Sequence, residues 1–293
     1  MRILITGANS FIGTSFKRWM SGHVNYSVDT IDMESSKWKD FDFSVYDSIL
    51  HVAGIAHADT SKVSEETKEL YYQVNSTLTY EVAKKAKESG VKQFIFMSSI
   101  IVYGEVKNGR ELHITKKTAP NPSNFYGDSK WQAEKKLMTL ADSTFKIAIL
   151  RPPMIYGPFC KGNYLQLSKI ARKTKFFPVV NNKRSVLYID NLCEFIRLIV
   201  EHQDSGTFFP QNEDFISTSY LVQAIARSNG RKIIMLPLLT PIIKMITLIP
   251  GKVGKLASKA FGSVYYDQEL SEYKSNYRVK NFAESIQSTE KKN

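Results

Sequence analysis

Apolar residues in the first half of the chain fall into short unbroken runs, separated by longer stretches of helical spacing. The runs are R-I-L-I-T (2–6), Y-S-V-D-T-I-D (26–32), S-I-L-H-V-A-G (48–54), Q-F-I-F-M-S-S (93–99) and F-K-I-A-I-L-R (145–151). Unbroken β-rich runs mark strands buried on both faces. Their alternation with helices predicts an α/β fold on a parallel sheet covered on both sides. Between the third and fourth runs the pattern predicts one long polar helix, Ser64 to Ser89, closed by Gly90. No internal repeat or low-complexity segment interrupts the order.

After Gly157 the rhythm loosens through the prolines and glycines of 152–162, then N-N-K-R at 181–184. This predicts a sheet domain over 1–160 and a smaller lobe formed mainly by 161–293. The stretch 185–204, opening on S-V-L-Y-I-D-N-L, is expected to return to the main sheet as a strand and a helix. The most apolar stretch is I-I-M-L-P-L-L-T-P-I-I-K-M-I-T-L, Ile233 to Leu248. Pro237, Pro241 and Lys244 interrupt it, which argues against a membrane span. With Lys252, Lys255 and Lys259 following, one reading is a basic amphipathic helix on a membrane surface. The favoured expectation is a helix covering the core of the smaller lobe.

Composition changes this picture little. The chain has 293 residues, 43% hydrophobic and 23% charged, ordinary for a soluble globular protein. Two cysteines, Cys160 and Cys193, make neither a disulfide framework nor a metal pair, so a reduced, cytoplasmic setting without a metal is expected. The apolar run after Met1 is too short for a signal peptide. The net charge is +12, and residues 160–293 carry 20 Lys and Arg against 11 Asp and Glu. No basic run, zinc-finger or RNP pattern accompanies it, so nucleic acid is not an expected partner. A dispersed positive charge also suits a site that holds a diphosphate.

The first strand runs directly into T-G-A-N-S-F-I-G, Thr6 to Gly13, where a helix begins. Such a turn aims backbone N–H groups and the positive end of a helix dipole at an anion, as a dinucleotide pyrophosphate requires. Gly7 makes the tight turn, Phe11 and Ile12 open the helix, and Gly13 lets helix and strand approach. Ser10 stands where the usual middle glycine would be. Asp32 closes the second strand, placed to accept hydrogen bonds from the adenosine ribose hydroxyls. Its charge would repel a 2′-phosphate, so NAD(H) is favoured, while Lys37 and Lys39 keep NADP(H) open. Ala53 and Gly54, ending the third run, are small enough for a cofactor to pass close to the backbone. His57 is either a ligand contact or a surface-loop histidine.

The pattern Y-x-x-x-K occurs three times, as Tyr80…Lys84, Tyr103…Lys107 and Tyr126…Lys130. A tyrosine becomes an acid–base catalyst when a cation one helical turn away favours its phenolate. A hydroxyl at an adjacent strand end must also hold the substrate carbonyl. Tyr80 lies inside the polar helix without such a strand end before it, and Tyr103 leads into a loop containing Gly109. Tyr126 opens a helical run and follows Ser99, at the end of the fourth strand, by 27 residues. That pair alone fits.

At this point the chain resembles the extended short-chain dehydrogenase/reductases, the NAD-dependent epimerase/dehydratase family. T-G-A-N-S-F-I-G, Asp32, H-V-A-G, V-N-S-T-L-T with Asn75, S-S-I-I-V-Y-G and Y-G-D-S-K occur in that family's order, over roughly residues 1–200. The resemblance implies a Rossmann-type doubly wound sheet with a C-terminal substrate-binding lobe. It implies Ser99, Tyr126 and Lys130 as the catalytic set, with Tyr126 as acid–base and Lys130 also on the nicotinamide ribose. Asp42 and Phe43 resemble an adenine-contacting pair. Related dehydratases carry two acidic residues after the catalytic hydroxyl; Ile100 and Ile101 stand here, so dehydration of that type is not expected.

R-P-P-M-I-Y-G-P-F-C-K-G-N-Y (151–164) and N-N-K-R-S-V-L-Y-I-D-N-L (181–192) resemble the substrate segments of nucleotide-sugar enzymes. They imply Gly162, Asn163 and Arg184 as contacts to a nucleoside diphosphate, Arg184 by a two-point guanidinium grip. The whole is similar to capsule and O-antigen 4-reductases acting on UDP-2-acetamido-2,6-dideoxy-4-hexuloses. Homodimerisation through the Tyr126 helix and the 64–89 helix is part of that expectation. The alternatives are a UDP-sugar 4-epimerase that keeps NAD tightly bound, and a non-catalytic NAD(P)-binding sensor or assembly protein.

Overall fold

The computed structural model describes residues 1–56, 63–106, 111–249 and 251–291. In chain order the elements begin β1 (Arg2–Thr6), α1 (Phe11–Met20), β2 (Ser27–Ile31) and β3 (Ser48–His51). Then follow α2 (Glu65–Tyr72), a π turn (Gln73–Leu78), α3 (Thr79–Glu88), β4 (Gln93–Met97), a 3-10 turn (Ile100–Tyr103) and β5 (Leu112–Ile114). After these come α4 (Phe125–Met138), β6 (Lys146–Leu150), β7 (Met154–Tyr156), α5 (Asn163–Lys173), β8 (Phe176–Pro178) and β9 (Val186–Tyr188). Next are α6 (Ile189–His202), β10 (Gly206–Phe208), α7 (Thr218–Ser228), β11 (Ile234–Leu236) and α8 (Thr240–Leu248). The chain closes with α9 (Lys252–Phe261), β12 (Val264–Tyr266) and α10 (Phe282–Glu290).

Six strands form one parallel sheet in the order β2-β1-β3-β4-β6-β10. The central β3 and β4 are buried at every residue, as their unbroken apolar runs require. Alternate residues serve opposite faces: Ile3 and Ile5 join α1 and α6, whereas Leu4, Ile49 and Phe94 join α3 and α4. After β2 the chain crosses to the other side of β1, so the loops following β1 and β3 diverge. Such a switch point opens a crevice at the strands' carboxyl ends.

Two expectations change. The strand of the 185–204 stretch, β9, pairs with β7 in a separate two-stranded sheet; the strand that completes the main sheet is β10. A three-residue strand such as V-L-Y carries no signal of its partner, and β10, G-T-F, is too short to register as a strand in sequence. The Ile233–Leu248 stretch, expected as a helix covering a core, instead gives β11 and α8, and α8 pairs with α9 in a hairpin with most bulky side chains exposed.

The C-terminal elements are latched by polar side chains. Glu290 on α10 accepts hydrogen bonds from Tyr164 and Ser168 on α5, from Arg172 and from Asn229, while Tyr156 and Ser285 share a hydrogen bond. Cys160 and Cys193 are buried free thiols. Among the described residues no helix is long and apolar enough to cross a membrane.

Candidate active site

The turn after β1 is shaped by what it must avoid. Gly7 has φ of +104°, and a Cβ there would lie 2.7 Å from the Ala53 nitrogen, so the two diverging loops touch at this glycine. Only glycine meets both constraints without strain. Ser10 has φ of −73° and caps α1, its hydroxyl accepting from Gly13 N–H at 3.0 Å. The positive φ that the middle glycine usually supplies is therefore not needed, and because the hydroxyl oxygen only accepts this bond, its own O–H is left to donate to a phosphate. A Cβ on Gly13 would fall 3.1 Å from Ile5, as close helix–strand packing demands. Phe11 and Ile12 occupy the first turn, where backbone N–H groups lack intrahelical partners. Asp32, exposed just past β2, receives Glu34 N–H at 2.8 Å. These features fit a dinucleotide: a close glycine turn, a helix N-terminus and a carboxylate at the next strand end.

The adenine pair divides. Asp42 is exposed and bonded to Ser44, whose hydroxyl and N–H hold its carboxyl below the usual range. The Phe43 ring is fully buried among Met33, Trp38 and Tyr46, so its side chain cannot meet an adenine; only its backbone remains for that role. An apolar ring beside a short, tight strand connection goes to the core first. His57 and Lys107 lie outside the described residues.

Ser99, Tyr126 and Lys130 converge at the carboxyl end of β4. Ser99 opens the 3-10 turn and accepts from Ile101 N–H at 3.3 Å, and its hydroxyl lies close enough to Tyr126 to act on the phenol. Asn124 caps α4 by accepting from Gly127 N–H at 2.8 Å, which places Tyr126 and Lys130 on successive turns of one face. Gly127 decides the approach. A Cβ there would sit 2.7 Å from the Ile101 carbonyl, so a glycine lets α4 seat against the turn that carries Ser99. Lys130 Nζ donates to Met97 O at 3.0 Å and lies 4.8 Å above the Phe96 ring. A Cβ at Gly54 would fall 3.0 Å from this Nζ, so Lys130 lies against the loop that follows β3.

Electrostatics give the two groups different states. Burial pushes the Tyr126 phenol up to about 12, with the Ser99 hydroxyl opposing it. Burial pulls Lys130 down to about 8, with Glu134 opposing it. The phenol therefore carries its proton at neutral pH.

Sequence reasoning missed the support beneath the set. Glu134, one turn beyond Lys130, accepts from Ser98 Oγ at 2.5 Å and pairs with Arg151, whose Nη1 donates to Tyr103 Oη at 2.6 Å. Asn75 in the π turn accepts from Ile55 N–H at 2.8 Å and donates to Ser129 Oγ at 3.1 Å, tying the loop after β3 to α4. The i, i+4 spacing of Lys130 and Glu134 was the readable signal. The other two tyrosine patterns serve structure: Tyr103 receives Arg151, and Lys84 pairs with Glu88 on α3.

At the substrate end, Gly162 has φ of +83° and Asn163 is the exposed first residue of α5. Arg184 Nη1 donates to the carbonyls of Lys259 and Gly262 at 2.8 and 3.2 Å, at the end of α9. Part of the guanidinium is thus committed to protein, and a phosphate grip would fall to its remaining N–H groups.

The model of the NAD dependent epimerase/dehydratase family matches residues 3–210. UDP-glucose 4-epimerase of Vibrio cholerae is 32% identical over 89% of this chain and 82% of its own. N-acetyl-alpha-D-glucosaminyl-diphospho-ditrans,octacis-undecaprenol 4-epimerase of Escherichia coli O157:H7 is 28% identical, over 97% and 86%. Among solved structures, UDP-glucuronic acid 4-epimerase from Bacillus cereus superposes with a TM-score of 0.75 at 17% identity, over 100% of this chain and 98% of its own. A dTDP-4-dehydrorhamnose reductase from Clostridium acetobutylicum superposes at 0.72 and 20%, over 98% and 97%. At these identities the structural likeness concerns the fold.

Proposed function

We propose a function for this chain from one premise: it belongs to the NAD-dependent epimerase/dehydratase family. It is an enzyme of that family, with a nicotinamide cofactor and chemistry at C4 of an activated sugar. Within that class we read it as a reductase of the C4 ketone of a UDP-linked 2-acetamido-2,6-dideoxyhexulose. The observation that carries this reading is the convergence of Ser99, Tyr126 and Lys130 at the carboxyl end of β4, with Gly127 letting α4 seat against the Ser99 turn. A carbonyl placed there would meet a hydroxyl, a phenol O–H and an ammonium, the donors that ketone reduction asks for.

The cofactor, when bound, supplies hydride to the sugar C4. Ser99 Oγ holds the carbonyl oxygen, Tyr126 Oη delivers the proton to it, and the Lys130 cation stabilises the phenolate left behind. Ile100 and Ile101 offer neither acid nor base, so elimination of a neighbouring hydroxyl lacks a catalyst. Asp32 supports NAD(H) over NADP(H), since its carboxylate would meet a 2′-phosphate. Asn163 and the uncommitted N–H groups of Arg184 are proposed as diphosphate contacts, and a homodimer through α2, α3 and α4 belongs to the same reading.

The 4-epimerase reading is favoured by the name of the Vibrio cholerae relative. The two separate on cofactor retention. Denaturing the purified protein and assaying the supernatant should release little NAD from a reductase, and stoichiometric NAD would support the epimerase. NADH and NADPH oxidation is then measured against a panel of UDP-4-keto sugars, with product NMR. A polyprenyl-diphosphate sugar of the kind named for the Escherichia coli relative belongs in that panel. Absence of ketone reduction across the panel would overturn the reductase.

A further inference from the structure

The α8–α9 hairpin hides only part of its apolar surface: Ile243, Ile246 and Phe261 are half-buried, and Phe261 packs against the main core. Between the two helices the buried residues are small or polar, Thr247, Gly254 and Ser258, and Ser258 Oγ donates to Thr247 O at 3.3 Å. A Cβ on Gly254 would lie 1.8 Å from the Ile249 carbonyl, so bulk is excluded between the helices and turned outward. On the outer face, Leu238, Ile242, Met245 and Ile249 recur at spacings of four, three and four. They are 87%, 51%, 69% and 50% exposed, and Val253 and Leu256 on α9 are 62% and 67% exposed.

Charge says what covers this face. From Phe215 to Tyr266 the chain has seven Lys and Arg and not one Asp or Glu. Lys244, Lys255 and Lys259 are exposed on the hairpin itself. A second copy brought face to face would bury the same apolar side chains but set these cations against their own duplicates, with no Asp or Glu between Phe215 and Tyr266 to neutralise them. An anionic bilayer accepts both parts, the apolar side chains entering the headgroup boundary by about 5–10 Å and the lysines meeting phosphates. We propose that the α8–α9 hairpin docks the protein peripherally on an anionic lipid surface.

The hairpin is tied to the substrate end, because Arg184 Nη1 holds the carbonyls that finish α9. Docking does not depend on the catalytic reading, and its test reads binding alone. The full chain is floated with phosphatidylcholine vesicles and with phosphatidylcholine–phosphatidylglycerol vesicles, at low and raised salt. It should rise only with the anionic vesicles and less at raised salt. Lys244→Glu with Lys255→Glu should lower partitioning by about ten-fold or more. Met245→Ser with Leu256→Ser should lower it comparably while leaving the melting temperature unchanged, since both side chains are exposed. Wild type left unbound by anionic vesicles, equal binding to neutral vesicles, or binding unchanged in both variants would overturn the proposal. Sedimentation showing that Met245→Ser with Leu256→Ser splits an oligomer, with no vesicle binding by wild type, would assign the face to a second copy instead.

Discussion

Glu134 and Arg151 form an ion pair beneath the carboxyl end of β4, Oε2 to Nη2 at 2.5 Å, with side-chain exposures of 2% and 8%. Ser98, next to Ser99, donates to the same carboxylate, so the pair fixes the end of β4 against α4. Removing one member strands a buried charge at a cost of about 3–5 kcal/mol. Glu134→Gln should lower the unfolding free energy by that order in urea titrations. Glu134→Met combined with Arg151→Met should recover most of it, because no charge is left unpaired. A double variant as unstable as the single one would show that the pair does something other than satisfy itself.

Tyr126→Phe removes the proposed proton donor and leaves the ring that packs edge-on against Tyr71 at 6.0 Å. Turnover should fall by about 10²–10⁴-fold with cofactor affinity preserved. Isothermal titration with NADH beside steady-state rates checks both halves. Turnover near the wild-type rate would remove Tyr126 from the chemistry.

The pH profile has a definite sign. Tyr126, pushed up to about 12, stays protonated through the neutral range, whereas Lys130, pulled down to about 8, loses its charge as pH rises through that value. For reduction, kcat/KM should be level near neutrality and fall above about 8, since this parameter reports groups of the free enzyme. In Lys130→Met the rate should be lower throughout and the alkaline fall should vanish. A fall that persists in Lys130→Met belongs to another group.

Gly127→Ala tests the seating of α4. The added Cβ would meet the Ile101 carbonyl at 2.7 Å, and backbone cannot move aside cheaply. The expected result is a loss in kcat of about 10²-fold, as a misplacement of roughly 1 Å produces, with little change in NADH affinity. An unchanged kcat would mean the helix and the Ser99 turn need not approach so closely.

His51 is fully buried between Thr6 Oγ1 at 2.7 Å and Thr79 Oγ1 at 3.0 Å, and burial lowers it from 6.5 to about 3. The unfolded chain takes up a proton that the folded chain refuses between these values. Stability is therefore complete above about 6.5 and declines as pH falls toward 3. Urea midpoints across this range should fall less steeply for His51→Gln than for wild type. Parallel slopes would mean that His51 does not control acid unfolding.

The readable parts of this protein are those whose physics is local. A strand covered on both faces must be apolar throughout, and so the runs of β1, β3, β4 and β6 became strands of the main sheet; β2, at its edge and half-buried, keeps Asp29 and Thr30. A glycine that turns tightly into a helix, or a tyrosine one helical turn from a lysine, is visible because the chain neighbours are the structural neighbours. Ser99 required one further step, the inference that consecutive strands end at the same edge of a parallel sheet.

Where contact partners are far apart in the chain, the letters carried little. Phe43 looked like part of an adenine contact until its ring was found in the core. V-L-Y at 186–188 could not declare which sheet it joins, and G-T-F at 206–208 hardly declares itself a strand. Arg184 has the same five donors wherever it lies; only folding shows Nη1 spent on the end of α9.

The parallel sheet, the tight turn into α1 and the singling out of one tyrosine–lysine pattern as the candidate were legible in the letters, because periodicity and spacing act between near neighbours. Tertiary structure alone decided the protonation of Tyr126 and Lys130, the Glu134–Arg151 support and the outward face of the 240–261 hairpin. Burial sets each of these. It is a property of what the rest of the chain covers, and no short stretch of residues contains it.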